Sequence, residues 1–315
     1  MSIAVIGAGN WGRNLVRTLA ELGALSHVVE ASAERRADLA AKYPGVIFLD
    51  SHEPLLDEPA VTAVAIATPV PTHHALARAF LEADRDVFVE KPITLTTHEA
   101  EDLTALAEQR GRILMAGHLL LYQPAVAKVA ALIADGAIGR PFTYHLERLK
   151  LGRARSVEDV LWSFGVHDIA VLLHLVGETP AQVVRTGHSG LNAGIDDDAY
   201  LHLTFPSGVQ AHLHNSWLWP IDRRGLTVIG SDGMIVYDEK AQTLTLHRKR
   251  IHPATLESAD AGEEIVFQGA PQPLELEMRH FLDCIATRQS PLSDGRSAVE
   301  VIRVLERAAV GRSQP

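Results

Sequence analysis

Ala4-Val5-Ile6-Gly7-Ala8-Gly9-Asn10-Trp11-Gly12 decides the reading of the chain. Residues suited to a buried strand run into three glycines spaced G-x-G-x-x-G. Residues 13–22 follow with Leu15, Val16, Leu19 and Leu22 at helical spacing. Strand, glycine turn and helix in that order form the phosphate turn of a dinucleotide-binding βαβ unit. The three glycines serve different ends. Gly7 permits the tight turn, Gly9 lets a pyrophosphate approach the backbone, and Gly12 lets helix and strand pack closely. The free N–H groups at the helix start then face the anion. The alternative is a glycine turn without a ligand, and the flanking strand and helix argue against it.

Working outward, strands and helices alternate to about residue 117. Strands are expected at 3–6, 25–30, 46–48, 61–67, 87–89 and 113–115, and helices at 13–22, 33–42, 72–83 and 96–109. The run 61–67 is apolar throughout, the pattern of a parallel strand buried on both faces. Six strands with crossover helices predict a doubly wound parallel sheet, an N-terminal Rossmann domain over residues 1–117. Beyond it the rhythm changes. A helix is expected at 124–135, a strand at 142–149 and a helix at 159–175. Strands follow at 182–185, 199–205, 209–216, 226–230, 234–237 and 243–247, and closing helices at 274–288 and 296–309. Residues 118–315 therefore read as a second α/β domain with a large, mostly antiparallel open sheet. That sheet needs its second face covered or paired, which predicts oligomerisation through it.

Composition narrows the function. The chain has 315 residues, 47% hydrophobic and 22% charged, as a globular enzyme does. Its net charge of −10 and its 5% aromatic content argue against nucleic acid and anionic membranes as partners. Cys284 is the single cysteine, so there is no intrachain disulfide and no thiolate metal cluster. It reads as a buried structural thiol. The N-terminal apolar run is already the first strand, and no run approaches the length of a membrane span. A cytoplasmic protein is expected.

Ligands of such sheets lie at the carboxyl ends of the strands, and four candidate positions fall there. Glu30 ends the second strand, where an acid can accept bonds from the adenosine ribose and repel a 2′-phosphate, favouring NAD over NADP; the alternative is a solvated loop acid. Arg35 and Arg36 are expected on an exposed helix face; the alternative is that either swings towards a phosphate. Thr68 and Pro69 open the turn after the fourth strand, where backbone can line the cofactor, and His73 and His74 start the next helix. Adjacent histidines on a helix diverge by about a hundred degrees, so no metal site is expected. Glu90-Lys91-Pro92 closes the fifth strand. A lysine there can hydrogen-bond a reacting hydroxyl, or be an ordinary strand-end lysine; the sequence leaves the isomer of the Lys91–Pro92 bond open. Downstream, His167 in Gly165-Val166-His167-Asp168-Ile169 is either a general acid or base or a satisfied helix histidine. Asp196-Asp197-Asp198 reads as an acidic turn before a strand, with cation binding as the alternative, His212 and His214 as packed strand residues, and Arg248-Lys249-Arg250 as a solvated hairpin end.

Taken together, these segments resemble the Gfo/Idh/MocA family of sugar and polyol oxidoreductases along essentially the whole chain. The likeness rests on the glycine turn, Glu90-Lys91-Pro92 and Gly165–Ile169, with support from Leu282-Asp283-Cys284-Ile285 and Pro291-Leu292-Ser293-Asp294-Gly295. It implies NAD as cofactor, with contacts from Gly7, Gly9, Asn10, Trp11 and Gly12 at the turn. Further contacts are implied from Glu30, Thr68, Pro69, His73, Glu90 and Lys91. It also implies that Lys91 touches the hydroxyl being oxidised, that His167 is the acid/base, and that the chain forms a homodimer or homotetramer through the C-terminal sheet. The chain departs from the family at two pocket positions: Ser163 stands where many members carry an aspartate, and Leu121 where many carry an arginine. Segments 117–122 and 160–164 resemble the bacterial nucleotide-sugar 3-dehydrogenases, which act on UDP-N-acetylglucosamine or its uronic acid ahead of amination at C3 in lipid A or O-antigen assembly. By that likeness His118, Tyr122, Trp162 and Ser163 line a sugar pocket, and Arg153 and Arg155 face a diphosphate or a carboxylate. The implied reaction is NAD-dependent oxidation of the C3 hydroxyl of a UDP-sugar. Its rivals are a free-sugar or inositol dehydrogenase and a non-catalytic NAD sensor, which would have no use for Lys91 or His167.

Overall fold

The computed structural model describes residues 2–269 and 272–310. The first elements are β1 (Ile3–Ile6), α1 (Gly12–Glu21), β2 (Leu25–Val29), α2 (Ala33–Lys42), β3 (Ile47–Leu49) and α3 (Glu53–Leu56). β4 (Ala63–Ile66), α4 (His73–Glu82), β5 (Asp86–Glu90), α5 (Thr97–Arg110) and β6 (Leu114–Gly117) follow. The six strands pair in parallel in the order β3-β2-β1-β4-β5-β6. Every residue of β1, β4, β5 and β6 is buried, as continuous apolar runs require when helices cover both faces. Local chemistry sets the helix ends. Ser32 and Thr96 accept the N–H of Arg35 and Glu99 as N-caps, and Gly111 closes α5 in the left-handed conformation. Val61 belongs to a turn closed on Glu58, so β4 is shorter than its apolar run. A 3₁₀ turn over Val70–Thr72, which follows Pro69 and contains Pro71, two residues without N–H groups, precedes α4.

The chain continues through α6 (Pro124–Ala134), β7 (Pro141–Leu151), a π-helical turn over Leu161–Gly165, and α7 (Val166–Val176). Seven strands follow: β8 (Gln182–His188), β9 (Asp198–Thr204), β10 (Gln210–Ser216), β11 (Leu218–Gly230), β12 (Met234–Asp238), β13 (Thr243–Ile251) and β14 (Ser258–Gln268). α8 (Pro273–Thr287) and α9 (Gly295–Val310) close the described chain. The eight-stranded sheet has the order β14-β13-β12-β11-β7-β10-β9-β8, and all its pairs but β7–β10 are antiparallel. Alternation sorts its faces. Tyr144, Leu146, Leu201, Leu203, Leu213, Leu226 and Val228 point inward and are buried, with α7 packed against β7. Val184, Tyr200 and Ile229 point outward and are exposed.

β14 was not expected, and its composition explains why. Ser258–Gln268 is almost wholly exposed and polar, without the apolar alternation that marks a strand. Cross-strand charge pairs it to β13 instead: Arg248 to Glu264 at 3.3 Å, and Lys249 to Glu263 at 3.2 Å. Arg248-Lys249-Arg250 thus lies exposed at the end of β13, beside the connection to β14.

The chain divides into two compact units, residues 2–119 with 272–302 and residues 120–269 with 303–310. Sequence order alone puts all of 118–315 in the second domain. α8 and the start of α9 belong with the parallel sheet, because α8 packs on α1 and the Ser293 hydroxyl donates to the Ala116 carbonyl at 2.7 Å. No helix among the described residues is long and apolar enough to cross a membrane.

Candidate active site

In the parallel-sheet unit, Gly7 takes a φ of +89°, and a Cβ on Gly12 would collide with the Gly7 carbonyl oxygen. These two glycines close the turn. A Cβ on Gly9 would meet nothing within 4 Å, so its backbone opens onto free space at the head of α1. That is the cradle a pyrophosphate needs. Asn10 and Trp11 on the same turn are exposed.

Glu30 stands buried at the end of β2. Its carboxylate accepts from the Ala8 amide (3.1 Å), the Ser32 amide (2.9 Å) and Arg35 Nη2 (2.9 Å). Burial opposes ionisation, yet Arg35 and the two amides together hold the carboxyl below its usual range. Arg36 Nη1 donates to the Glu30 carbonyl at 2.6 Å. Both arginines thus bond to Glu30, Arg35 while still exposed on the helix face and Arg36 half-buried.

Thr68 is half-buried and Pro69 exposed in the turn after β4. His73 is 1% exposed, with Nδ1 2.9 Å from the Pro92 carbonyl and Nε2 2.8 Å from the Thr68 carbonyl. Burial, the larger effect, pushes this imidazole down, against the two carbonyls. Its ring is committed to tying the β4 turn to the segment after β5, so it shapes that edge through backbone. His74 meets the Asp102 carboxylate at 2.8 Å on another face of α4. Among the described residues no cluster of His, Cys, Asp and Glu could hold a metal ion.

At the end of β5 the indole Nε1 of Trp11 donates to Glu90, which joins the glycine turn to Glu90-Lys91-Pro92. Burial pushes the Glu90 carboxyl up to about 7, against the pull of Trp11 and Lys91. Lys91 is half-buried, and the Lys91–Pro92 bond is cis. His118, just past β6, is buried with neither ring nitrogen hydrogen-bonded; burial and the Lys91 charge push it down to about 4. Glu277 on α8 is fully buried, and neither carboxylate oxygen has a hydrogen-bond partner. The sequence reading missed it. Its signal was legible, because it shares the helical stripe of Phe281 and Ile285, both buried.

In the second unit, the Asp159 carboxylate accepts the Leu161 amide (3.0 Å) and the Trp162 amide (3.2 Å) and so starts the π turn. A Cβ on Gly165 would press on Asn215 Oδ1 at 2.9 Å, so only glycine fits there without displacement. π turns of this kind occur often at functional sites. His167 follows, half-buried in the first turn of α7; Trp162 is half-buried, and Ser163 and Tyr122 are buried. Asp168, its neighbour, is locked: Oδ1 accepts from Arg148 Nε (3.0 Å) and Nη2 (2.9 Å), and Oδ2 from Asn215 Nδ2 (2.7 Å). Arg148 also donates to Glu239 at 2.9 Å, and these carboxylates raise its guanidinium further despite burial. This network pins the helix turn that carries His167. Arg153 and Arg155 are exposed in the loop before the π turn, where Arg155 meets Glu158 at 3.4 Å.

The triple aspartate is no open turn. Asp196 pairs with buried Arg185, Asp197 accepts from the Trp217 indole at 2.6 Å, and Asp198 meets His214 at 3.1 Å. His212 Nδ1 lies 2.8 Å from His202 Nδ1. Cys284 is buried, and burial pushes its thiol up, as a structural cysteine requires.

A glycine cradle at the head of α1 and an anchored acid after β2 define the class, an NAD-binding α/β oxidoreductase. Residues 1–118 match the oxidoreductase family with an NAD-binding Rossmann fold, and residues 126–236 match the GFO/IDH/MocA C-terminal domain. The chain belongs to the Gfo/Idh/MocA family, and its cofactor is NAD. It is 29% identical over 305 residues to UDP-N-acetylglucosamine 3-dehydrogenase of Acidithiobacillus ferrooxidans, a match covering 96% of this chain and 94% of that one. The solved structure of that enzyme superposes with a TM-score of 0.87 at 28% identity, covering 99% and 97% of the two chains. Scyllo-inositol 2-dehydrogenase (NAD⁺) of Bacillus subtilis is 27% identical over 92% of this chain and 87% of its own. An Agrobacterium radiobacter oxidoreductase solved with NAD⁺, L-tartaric acid and magnesium shares the fold, with a TM-score of 0.84 at 17% identity over 99% and 96% of the chains.

Proposed function

We propose that the chain oxidises the C3 hydroxyl of a UDP-sugar, UDP-N-acetylglucosamine first, to the 3-keto sugar with NAD⁺, ahead of C3 amination in lipopolysaccharide assembly. The observation that carries this reading is the likeness to UDP-N-acetylglucosamine 3-dehydrogenase along 96% of the chain. The lysine at the end of β5, joined through Glu90 and Trp11 to the glycine turn, supports it. When bound, NAD⁺ supplies the acceptor for the hydride that leaves C3. His167 removes the hydroxyl proton, and Lys91 hydrogen-bonds the same oxygen and steadies its developing charge. Asp168 and Arg148 hold the turn that aims His167. His118, Tyr122, Trp162 and Ser163 line the sugar side, and Arg153 and Arg155 take the diphosphate or a uronate carboxylate.

The test is NADH formation with UDP-N-acetylglucosamine, its uronic acid, free N-acetylglucosamine and inositol. Turnover of a UDP-sugar with a 3-keto product is expected. Turnover of inositol or free sugar alone would replace this reading with its rival, which the Bacillus subtilis relative supports. The uronic acid turning over faster than UDP-N-acetylglucosamine would move the substrate to the acid. Cofactor binding without reduction by any sugar would leave a sensor. The same reading includes a cytoplasmic homodimer or homotetramer assembled through the outward face of the eight-stranded sheet, where Val184, Tyr200 and Ile229 are exposed. A monomer by light scattering would remove that part.

A further inference from the structure

The buried carboxyl of Glu277 has no part in the reaction above. It is 0% exposed, and neither oxygen has a hydrogen-bond donor. Its position is set by packing. Phe281, one turn further along α8, meets Phe88 of β5 with ring centres 5.8 Å apart. Glu90 follows Phe88 on the same face of β5, and Glu277 precedes Phe281 on the same face of α8. The two glutamates are thus brought together behind the Lys91 segment.

Their surroundings differ. Glu90 accepts the Trp11 indole N–H and, at 3.3 Å, the Lys91 amide. Glu277 accepts nothing. Two carboxylates in one water-poor place do not both ionise readily, and the proton stays on the one with fewer donors. Burial and the Glu90 charge both raise Glu277 well above the usual carboxylate range. The other titratable groups on this side are Lys91, beyond β5, and His118, beyond β6, which burial and Lys91 keep neutral near pH 7. The charged residues of α1, which packs on α8, are Arg13, Arg17 and Glu21, and all three are exposed. On α8 itself, Arg279 turns to Glu275, His280 contacts Cys284, and Asp283 lies on the following turn.

Strand order says which part of the cofactor meets this pair. The glycine turn follows β1 and Glu30 follows β2. An adenosine held at Glu30 sends the nicotinamide half the other way, over β4 and β5. We propose that Glu277 keeps its proton after Glu90 has ionised and gives it up only at higher pH, adding a second negative charge beside Glu90 that favours the oxidised, positively charged nicotinamide over the reduced one. Glu277 touches neither cofactor nor substrate; it is a positioning residue acting through the charge at Glu90. The inference rests on reading the β5 end as the nicotinamide side, and it is independent of which sugar is oxidised.

The experiment measures the dissociation constants of NAD⁺ and NADH without sugar, by calorimetry, from about pH 7 to about pH 9.5. In the wild type the ratio of the NADH constant to the NAD⁺ constant is expected to rise about ten-fold, the effect of one unit charge across a short, partly screened distance. Glu277→Gln, a neutral isostere, should lose most of that rise and keep only the part that Glu90 and Lys91 contribute. An unchanged rise in Glu277→Gln, or a flat wild type, overturns the proposal. Glu90→Gln tests the underlying placement: if it leaves both constants unchanged, the nicotinamide does not lie at this end. Infrared spectroscopy of the wild type gives a second readout that depends on no variant's folding. A protonated carboxyl band that persists after the Glu90 carboxyl has titrated near pH 7 supports the proposal, and its absence overturns it.

Discussion

Each unit buries a cluster of charged side chains, and the two clusters are built on opposite principles. In the second unit, Arg148, Asp168, Asn215 and Glu239 give each carboxylate a donor. In the first, Glu90 and Glu277 come together with few donors, beside a histidine whose two nitrogens lack hydrogen bonds. A satisfied network holds geometry, and breaking it is costly. An unsatisfied one holds groups away from their ordinary protonation states, which lowers stability and suits a site that must move charge. The first kind stands directly behind His167, and the second directly behind Lys91.

The largest expected effect tests what the unsatisfied cluster serves. Lys91→Ala should lower kcat/KM for NAD⁺ reduction by about 10²–10⁴-fold with little change in Tm; normal turnover would remove Lys91 from the chemistry. Arg148→Met should strike the satisfied cluster in stability instead, destabilising the fold by about 3–5 kcal/mol in denaturant titrations, because Asp168 and Glu239 lose their buried cation. Arg148→Met combined with Asp168→Leu should cost less than the two single changes summed. Equal tolerance of Arg148→Met and of a Glu277 replacement would erase the contrast.

Glu277→Met should go the other way and stabilise the fold by about 1–3 kcal/mol, since it removes a buried polar group that no donor satisfies. The smallest effect is in pH. A carboxyl raised on folding lends stability that is fully present below its unfolded value and is lost as pH rises through its folded value. For Glu90 that window runs from 4.5 to about 7, and for Glu277 it extends higher. His118, lowered from 6.5 to about 4, has the opposite sign: its contribution is complete above 6.5 and fades as pH falls. Above about pH 6.5 only the glutamates remain, so Tm should fall with rising pH in the wild type and fall less in Glu277→Gln. Scanning calorimetry at several pH values reads the difference.

How far the sequence could be read differs between these regions for the same physical reason. Arg148 sits two residues past Leu146, in the inward register of β7, and Glu277 sits on the apolar stripe of α8. Both are charges where the pattern calls for an apolar side chain. The pattern announces an exception and does not say whether a partner answers it. Arg148 is answered from α7 and from beyond β12, and Glu277 is met only by another acid. β14 shows the converse case, a strand held by cross-strand charge with no apolar pattern to announce it.

Local sequence determined the parallel sheet, the glycine cradle, the anchored acid after β2 and the lysine after β5. Each depends on neighbours within a few residues or on the period of a buried strand, and both are written into the chain. Tertiary structure alone decided which charges are satisfied. Asp168 finds Arg148 and Asn215, the triple aspartate finds Arg185, Trp217 and His214, and Glu277 finds Glu90, in every case across many residues of chain. A proton's affinity for a side chain depends on what folding brings within a few ångströms of it, and sequence spacing does not encode that distance.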